Sequence, residues 1–167
     1  GSEVRGSEVR GPEVQGRIAA LRGRIAWSGW DTQGALRGYG EATKKLPDDA
    51  GYHRQLALLF SLTLDLEQAH RQLQRADAAR SGGSGKLRGF LASWINEFSV
   101  NPVGLGLLRE AMEAQQGDRI PALAQVVRSE PDYTPAAVLL LLALRSRGYL
   151  ETMGRACGKE GAWPLRI

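Results

Sequence analysis

Residues 31–80 read DTQGALRGYGEATKKLPDDAGYHRQLALLFSLTLDLEQAHRQLQRADAAR, and two parts of this stretch repeat each other at one fixed spacing. In each part a small residue, a large residue and a second small residue recur at helical spacing. The matched pairs, 34 residues apart, are Ala35 and Ala69, Tyr39 and Leu73, and Ala42 and Ala76. The intervening segment, residues 46–50, combines a helix stop at Pro47 with a helix start at Asp49. This period predicts an array of helical hairpins.

The composition of the chain favours an all-α fold. Strand signals are weak, because β-branched residues are scattered and no long stretch alternates apolar and polar residues. Leu, Ala, Arg, Gln and Glu dominate, and these residues favour helix. A chain of 167 residues is long enough to bury a substantial core in one domain.

Helix start and stop signals divide the chain into eight main helices. We expect these at about residues 13–28, 31–45, 50–62, 65–79, 86–98, 101–116, 117–128 and 135–147, with a short ninth helix at about 150–156. A Gly-rich break, residues 81–85, separates the fourth and fifth helices. The eighth helix is apolar nearly all round, which predicts deep burial. The predicted domains are a flexible lead-in at 1–12, the helical repeat domain at 13–157 and an irregular tail at 158–167.

The repeated residues resemble the tetratricopeptide repeat (TPR) family. That motif places a Gly on the first helix, then Ala, an aromatic residue and Ala on the second helix, and a closing Pro. The first unit matches it with Gly23, Ala35, Tyr39, Ala42 and Pro47, and the second with Leu56, Ala57, Phe60, Ala69, Leu73 and Ala76. The resemblance implies a right-handed α-solenoid of antiparallel helical hairpins, with about three to four TPR-like repeats and a short C-terminal helix.

The resemblance weakens after the Gly-rich break, where other α-solenoids stay open as alternatives. In the third unit Phe90, Leu91 and Trp94 fit the motif, whereas Val103 and Glu110 stand where Ala is usual. Two registers compete in the fourth unit. Strict spacing pairs the seventh and eighth helices, but residues 131–149 also resemble a repeat junction followed by a first helix. We adopt the strict register because it keeps the alternation of first and second helices.

Charge and targeting signals exclude several classes of function. The net charge of +4 is spread along the chain, which is unlike the concentrated basic face of a nucleic-acid-binding protein. No membrane span or signal peptide is visible, since the apolar run 136–144 is far shorter than the ~20 residues that a span needs. The opening Gly1-Ser2 resembles a cloning remnant, so a natural targeting signal can be missing. We slightly favour a cytoplasmic location.

No catalytic, cofactor or metal site is predicted. His53 and His70 lie on different predicted helices without acidic or thiol partners at ligand spacing, so surface or packing roles are favoured. Asp48 and Asp49 fit helix-start chemistry. The lone Cys157 has no partner for a disulfide or a metal. We therefore predict that the chain is not an enzyme by itself and needs no cofactor.

The remaining candidate site is a surface. In TPR proteins the first helix of each hairpin lines a concave groove that receives a peptide or a helix of the partner. Carried onto this sequence, that face selects Arg17, Arg24, Trp27, Arg54, Leu58, Arg88, Asn96 and, in the strict register, Arg119. Arg54 and Arg88, 34 residues apart, are expected to stack along the groove and to bind carboxylates. The alternative is an idle face of solvated arginines.

Three functional hypotheses follow. The first is a non-catalytic scaffold that binds a protein partner, in particular an acidic or extended segment, in the Arg-lined groove. The second is the helical repeat region of a larger bacterial enzyme of glycosyltransferase or sulfotransferase type, which serves recruitment or assembly. The third is self-association through the ends of the solenoid.

Overall fold

A computed structural model describes residues 11–79, 85–114 and 119–146. In these ranges the secondary structure is helical without strands, which confirms the all-α prediction. The helices are α1 Pro12–Ser28, α2 Thr32–Lys45, α3 Ala50–Leu62, α4 Leu66–Ala78, α5 Gly85–Val100, α6 Pro102–Glu113, α7 Arg119–Ser129 and α8 Thr134–Ser146. The predicted lead-in up to residue 10, the ninth helix and the C-terminal tail lie outside the described residues.

Side-chain caps explain where four of these helices begin. The Asp31 carboxylate accepts a hydrogen bond from the Gly34 N–H at 2.8 Å, and the Asp65 carboxylate accepts one from the Gln68 N–H at 3.1 Å. Asp49 caps α3, and Asn101 caps α6 in the same way. Each cap satisfies a backbone donor that the first helical turn leaves unpaired. The sequence prediction of helix starts at these residues is confirmed.

The turns that end α1 and α3 have the same geometry. Trp30 and Leu64 both have a φ of 62°, in the left-handed region. In each turn the N–H of the following aspartate, Asp31 or Asp65, donates to the carbonyl oxygen five residues earlier at 2.9 Å. This is the Schellman motif, which ends a helix. The aspartate that completes it, Asp31 or Asp65, is also the N-cap of the following helix, α2 or α4. The 34-residue spacing seen in the sequence is therefore repeated in the backbone of these two turns.

The chain divides into two compact units after Ile95, inside α5. In the first unit α1 packs against α2, α2 against α3, and α3 against α4. One core cluster joins α1, α2 and α3, and a second joins α3, α4 and α5. The first contains Ala19, Ala20, Ala35, Tyr39, Ala42, Leu56 and Leu59, and the second contains Ala57, Ala69, Leu73, Leu91 and Ile95.

Glycines bring α1 and α2 into backbone contact. A Cβ atom built on Gly38 would lie 2.4 Å from the Gly23 nitrogen and 2.5 Å from the Gly23 Cα. On α1, a Cβ atom on Gly23 would lie 3.0 Å from the Tyr39 nitrogen. Only a residue without a side chain fits at Gly38, because the obstacle is backbone and cannot rotate away. The missing side chains of Gly23 and Gly38 therefore allow the close approach of α1 and α2.

The 34-residue register does not extend through α5. The Asn101 cap stands 36 residues after the Asp65 cap, whereas the Asp65 cap stands 34 residues after the Asp31 cap. Phe90, which strict spacing equates with the buried Leu56, is 63% exposed. Val103 is also exposed. The prediction that Phe90 occupies a packing position is wrong, whereas Leu91 is buried and Trp94 packs against the second core cluster. α5 buries only the side that carries Leu91 and Ile95, so Phe90 stays exposed.

The second unit contains the end of α5 together with α6, α7 and α8. The Tyr133 hydroxyl, in the α7–α8 turn, donates to the Phe98 carbonyl at 2.9 Å. The Asn101 side-chain amide donates to Glu130 at 2.8 Å. These two hydrogen bonds hold the α7–α8 turn against the α5–α6 junction.

The burial of α8 differs from the prediction. Pro135, Ala136 and Leu139 are buried, but Leu141 is 55% exposed. The buried residues follow one face of the helix, since Leu139 is one turn beyond Pro135 and Ala136. The prediction of deep burial all round is wrong, because apolar composition gives no information on how many neighbours a helix has.

Tyr133 makes the stability of the second unit sensitive to alkaline pH. Burial raises the pKa of Tyr133 from 10.0 to about 12, with a lowering effect of Arg109 as the second cause. The unfolded chain therefore loses the phenolic proton at lower pH than the folded chain does. The contribution of the Tyr133 phenol to the free energy of unfolding is fully present below pH 10.0, and it declines as the pH rises towards about 12.

We expect urea unfolding of the wild type to move to lower midpoints across that pH window. The Tyr133→Phe variant loses the bond to Phe98 and should be less stable at neutral pH, but its midpoint should fall less over the same window. The Tyr39→Phe variant should also fall less over this window, because burial raises the pKa of Tyr39 in the first unit as well. Identical alkaline slopes for the wild type and Tyr133→Phe would contradict the assignment.

Candidate partner-binding surface

The groove residues predicted on α1 divide into two exposed arginines and a packing tryptophan. Arg17 and Arg24 are exposed. The Arg17 guanidinium lies 2.8 Å from the Glu13 carboxylate in an ion pair whose side chains are 71% and 66% exposed. Trp27 is half-buried against the first core cluster, and its ring centroid is 5.4 Å from that of Trp30. Trp27 therefore stabilises the fold with part of its surface, and the two arginines face solvent.

The residues predicted on α3 are both half-buried. The Arg54 Nε donates to the Ala50 carbonyl, one turn earlier on the same helix, at 3.1 Å. Leu58 packs against the second core cluster. The contact with Ala50 holds the Arg54 side chain along its own helix and leaves guanidinium N–H groups for other acceptors.

Arg88 extends from α5 towards α4. Its Nε lies 2.6 Å from the Asp77 carboxylate, and 63% of the Arg88 side chain is exposed. Arg54 and Arg88 thus have different intramolecular partners, a backbone carbonyl and a carboxylate. Their stacking along one groove stays a prediction.

Asn96 and Arg119 belong to the second unit. Asn96 is exposed on α5. The Arg119 guanidinium donates to the Met112 carbonyl at 3.0 Å, while its Nε is buried and has no hydrogen-bond partner within the described residues. Arg119 therefore ties the start of α7 to the end of α6, a structural role that the motif comparison did not indicate.

A buried polar pair was not predicted. His53 is 3% exposed, with Nδ1 at 2.8 Å from the Gln72 side-chain oxygen and Nε2 at 2.9 Å from the Pro47 carbonyl. Only a doubly protonated ring donates to both oxygens, whereas a neutral ring requires the Gln72 amide to be turned over. Either arrangement ties α3 to α4 and to the preceding turn. His53 has a packing role, in agreement with the interpretation favoured from the sequence.

A second polar contact joins α3 to α5. The Trp94 indole N–H donates to the Ser61 hydroxyl at 2.9 Å, and that hydroxyl donates to the Leu58 carbonyl at 2.7 Å. Ser61 is fully buried, so the hydrogen bonds offset the cost of removing its hydroxyl from water. The sequence indicated Trp94 as a motif residue of the third unit, but gave no sign that its indole N–H would bond to Ser61.

A basic groove between α1 and α2 was also missed by sequence reasoning. Its volume is about 330 Å³, and it is lined by Gln15, Ile18, Ala19, Arg22, Glu41, Lys44 and Lys45. Lys44 and Lys45 also lie in the last turn of α2, where positive charge is favourable. The groove places them beside Arg22, because α1 and α2 pack closely along their length.

Residues 11–79, 85–114 and 119–146 contain neither a metal-ligand cluster nor a helix suited to span a membrane. No cluster of three or more His, Cys, Asp or Glu residues suited to a metal ion occurs there. None of the eight helices combines the length and the apolar character needed to span a bilayer. The chain matches no protein-family model, and comparisons with curated proteins and with solved structures find no significant match.

Proposed function

We propose that this protein is a TPR-like helical scaffold, a right-handed α-solenoid of hairpins, that binds a protein partner without catalysis. The partner would be an acidic peptide or helix held by the first helices of the hairpins. The repeated turns at Trp30 and Leu64 support the hairpin array, since they share one backbone geometry at the 34-residue spacing. The alternative of a repeat region within a larger enzyme stays a prediction.

The observation that carries this function is that two arginines on α1 and α5, each in an ion pair with a carboxylate of the chain, are largely exposed to solvent. The side chains of Arg17 and Arg88 are 71% and 63% exposed although each makes an ion pair. Exposed ion pairs contribute only about 0–1 kcal/mol each, so a carboxylate of a partner can replace Glu13 or Asp77 at small cost. Arginine binds carboxylates through two parallel hydrogen bonds, which gives such a surface directional preference.

Charge reversal at Arg54 and Arg88 tests the groove. The Arg54→Glu, Arg88→Glu double variant should weaken binding of a fluorescent, glutamate-rich extended peptide by at least about tenfold, measured by anisotropy. Two attractive contacts become repulsive in this variant. Circular dichroism should show the same helical content as in the wild type, because Arg88 is exposed and Arg54 is only half-buried.

The matched control is Arg37→Glu with Arg75→Glu. These two arginines are exposed on second helices, α2 and α4, and the double variant makes the same change in net charge. The control should keep at least half of the wild-type affinity. Equal weakening by both double variants would show binding by overall charge, and unchanged binding by Arg54→Glu, Arg88→Glu would rule out the groove.

A further inference from the structure

The outer face of α1 carries an exposed apolar stripe. Val14, Leu21 and Ile25 are 46%, 55% and 62% exposed, and Ile18 between them is half-buried. The stripe lies on the side opposite Gly23, which contacts α2. Aliphatic side chains are thus presented to solvent by a helix that is anchored to the fold through its other face. Contiguous exposed apolar surface of this kind marks a site of interaction.

The spacing of the stripe identifies the shape of its partner. Val14, Ile18, Leu21 and Ile25 follow one another at intervals of four, three and four residues. This is the spacing of the a and d positions of a coiled coil, whose seam packs against a second helix. Arginines bracket the stripe closely, so the apolar face is narrower than that of a helix lying in a membrane surface. The geometry therefore favours a helix as the occupant.

The charges that flank the stripe identify the chemistry of the partner. Arg17 and Arg24 immediately precede Ile18 and Ile25, and Arg22 immediately follows Leu21. These are the g and e positions, which contact the flanking residues of a partner helix. On the Arg22 side the basic groove adds Lys44 and Lys45 from α2. Among the described residues, the carboxylates that contact or line this surface are Glu13, which pairs with Arg17, and Glu41 in the groove, so positive charge predominates there.

A second copy of α1 does not satisfy this pattern. In a parallel pair the g-position Arg17 would face the e-position Arg22 of the other copy, and in an antiparallel pair arginine would again face arginine. Like charges at these positions disfavour pairing and act against self-association. A partner with acidic flanking residues would be attracted on both sides of the seam.

We propose that the outer face of α1 is a second docking surface, which binds an amphipathic helix with a heptad apolar seam and acidic flanks. It shares Arg17 and Arg24 with the predicted groove, but its apolar seam lies outside that groove and it requires neither Arg54 nor Arg88. The aliphatic residues supply the contact area, and the cations on both flanks select the acidic partner.

Two designed peptides test the proposal directly. Both are helical, with Ile and Leu at the a and d positions. One carries Glu at every e and g position, and the other carries Lys there. Anisotropy titrations should show that the intact protein binds the Glu peptide at least about tenfold more tightly than the Lys peptide. The difference should shrink as salt is added, because the flanking charges are exposed.

The variants separate the seam from the flanks. Leu21→Ser with Ile25→Ser should abolish binding of the Glu peptide, while circular dichroism stays unchanged because both residues are exposed. Arg22→Glu should weaken the binding of the Glu peptide and strengthen the binding of the Lys peptide.

The control variant Val103→Ser with Leu141→Ser removes apolar residues of similar exposure elsewhere on the protein, and the affinity for both peptides should stay unchanged. Arg54→Glu with Arg88→Glu should also leave this binding intact, which separates the present proposal from the groove.

Four results would overturn the proposal. Equal affinity for the two peptides, or binding of neither, would show that the stripe does not select an acidic helix. A wild-type dimer in light scattering that becomes monomeric with Leu21→Ser, Ile25→Ser would make the stripe a self-interface. The stripe would instead bind a membrane surface if the wild type sedimented with phosphatidylserine vesicles but bound neither peptide, and if the Leu21→Ser, Ile25→Ser variant no longer sedimented with the vesicles.

Discussion

Replacing Phe98 with alanine is expected to lower the free energy of unfolding by about 3–5 kcal/mol. Phe98 is fully buried and is among the largest side chains that the fold excludes from water. Truncation removes its apolar contacts and leaves a cavity that the surrounding helices fill only in part. The Phe98 carbonyl also accepts the Tyr133 hydrogen bond, so relaxation of α5 around the cavity would weaken that bond too. Urea titration monitored by circular dichroism measures the change.

Phe90→Ala is the matched control for this experiment. It is the same substitution on the same helix, but Phe90 is 63% exposed, so the expected change is within about 0.5 kcal/mol. The difference between the free energies of unfolding of the two variants shows which face of α5 is buried. If Phe90→Ala cost as much as Phe98→Ala, the strict 34-residue register would be restored and the described orientation of α5 would be incorrect.

Gly38→Ala is expected to destabilise the first unit by about 1–3 kcal/mol although alanine is the better helix former. The added Cβ would overlap the Gly23 backbone, which lies within 2.5 Å of it. Backbone atoms cannot change rotamer, so α1 and α2 would have to separate along the first core cluster. That separation would loosen the packing of Ala19 and Ala35 as well. The change is measured by urea titration of the wild type and the variant.

Gly40→Ala, two residues further along α2, isolates the steric cause. A Cβ atom on Gly40 would meet nothing within 4 Å. Its only effect is then to reduce the freedom of the unfolded chain and to improve helix propensity, which should raise stability by about 0.5–1 kcal/mol. The two substitutions should therefore have opposite signs. A stabilising Gly38→Ala would mean that α1 and α2 do not approach as closely as described.

The first four helices could be predicted from the sequence because their boundaries rest on local chemistry. Asp31, Asp49 and Asp65 each place a carboxylate where the backbone of the next turn needs an acceptor. α3 was predicted at Ala50–Leu62 and begins and ends there. The same chemistry produced the Asn101 cap, although its distance from the previous cap departs from the repeat.

The candidate surface stays a prediction, and the structure describes only the surroundings of its residues. The sequence identified Arg17 and Arg24 as exposed groove candidates, but gave no sign that Trp27 and Leu58 are partly used in packing. The exposed stripe at Val14, Ile18, Leu21 and Ile25 has helical spacing that suits a core face equally well. Periodicity shows that such residues share a face, but not which face meets a neighbour.

By itself the sequence determined the helical class, the capped starts of the helices and the 34-residue spacing of the first two hairpins, because caps, turns and periodic small residues act over a few residues of chain. Only the tertiary structure decided that Gly38 rests on Gly23, that α5 buries Phe98 instead of Phe90, and that α1 leaves an apolar stripe exposed between arginines. Those outcomes depend on which helices become neighbours. Side-chain packing and loss of water between distant segments set that choice, and no local pattern encodes it.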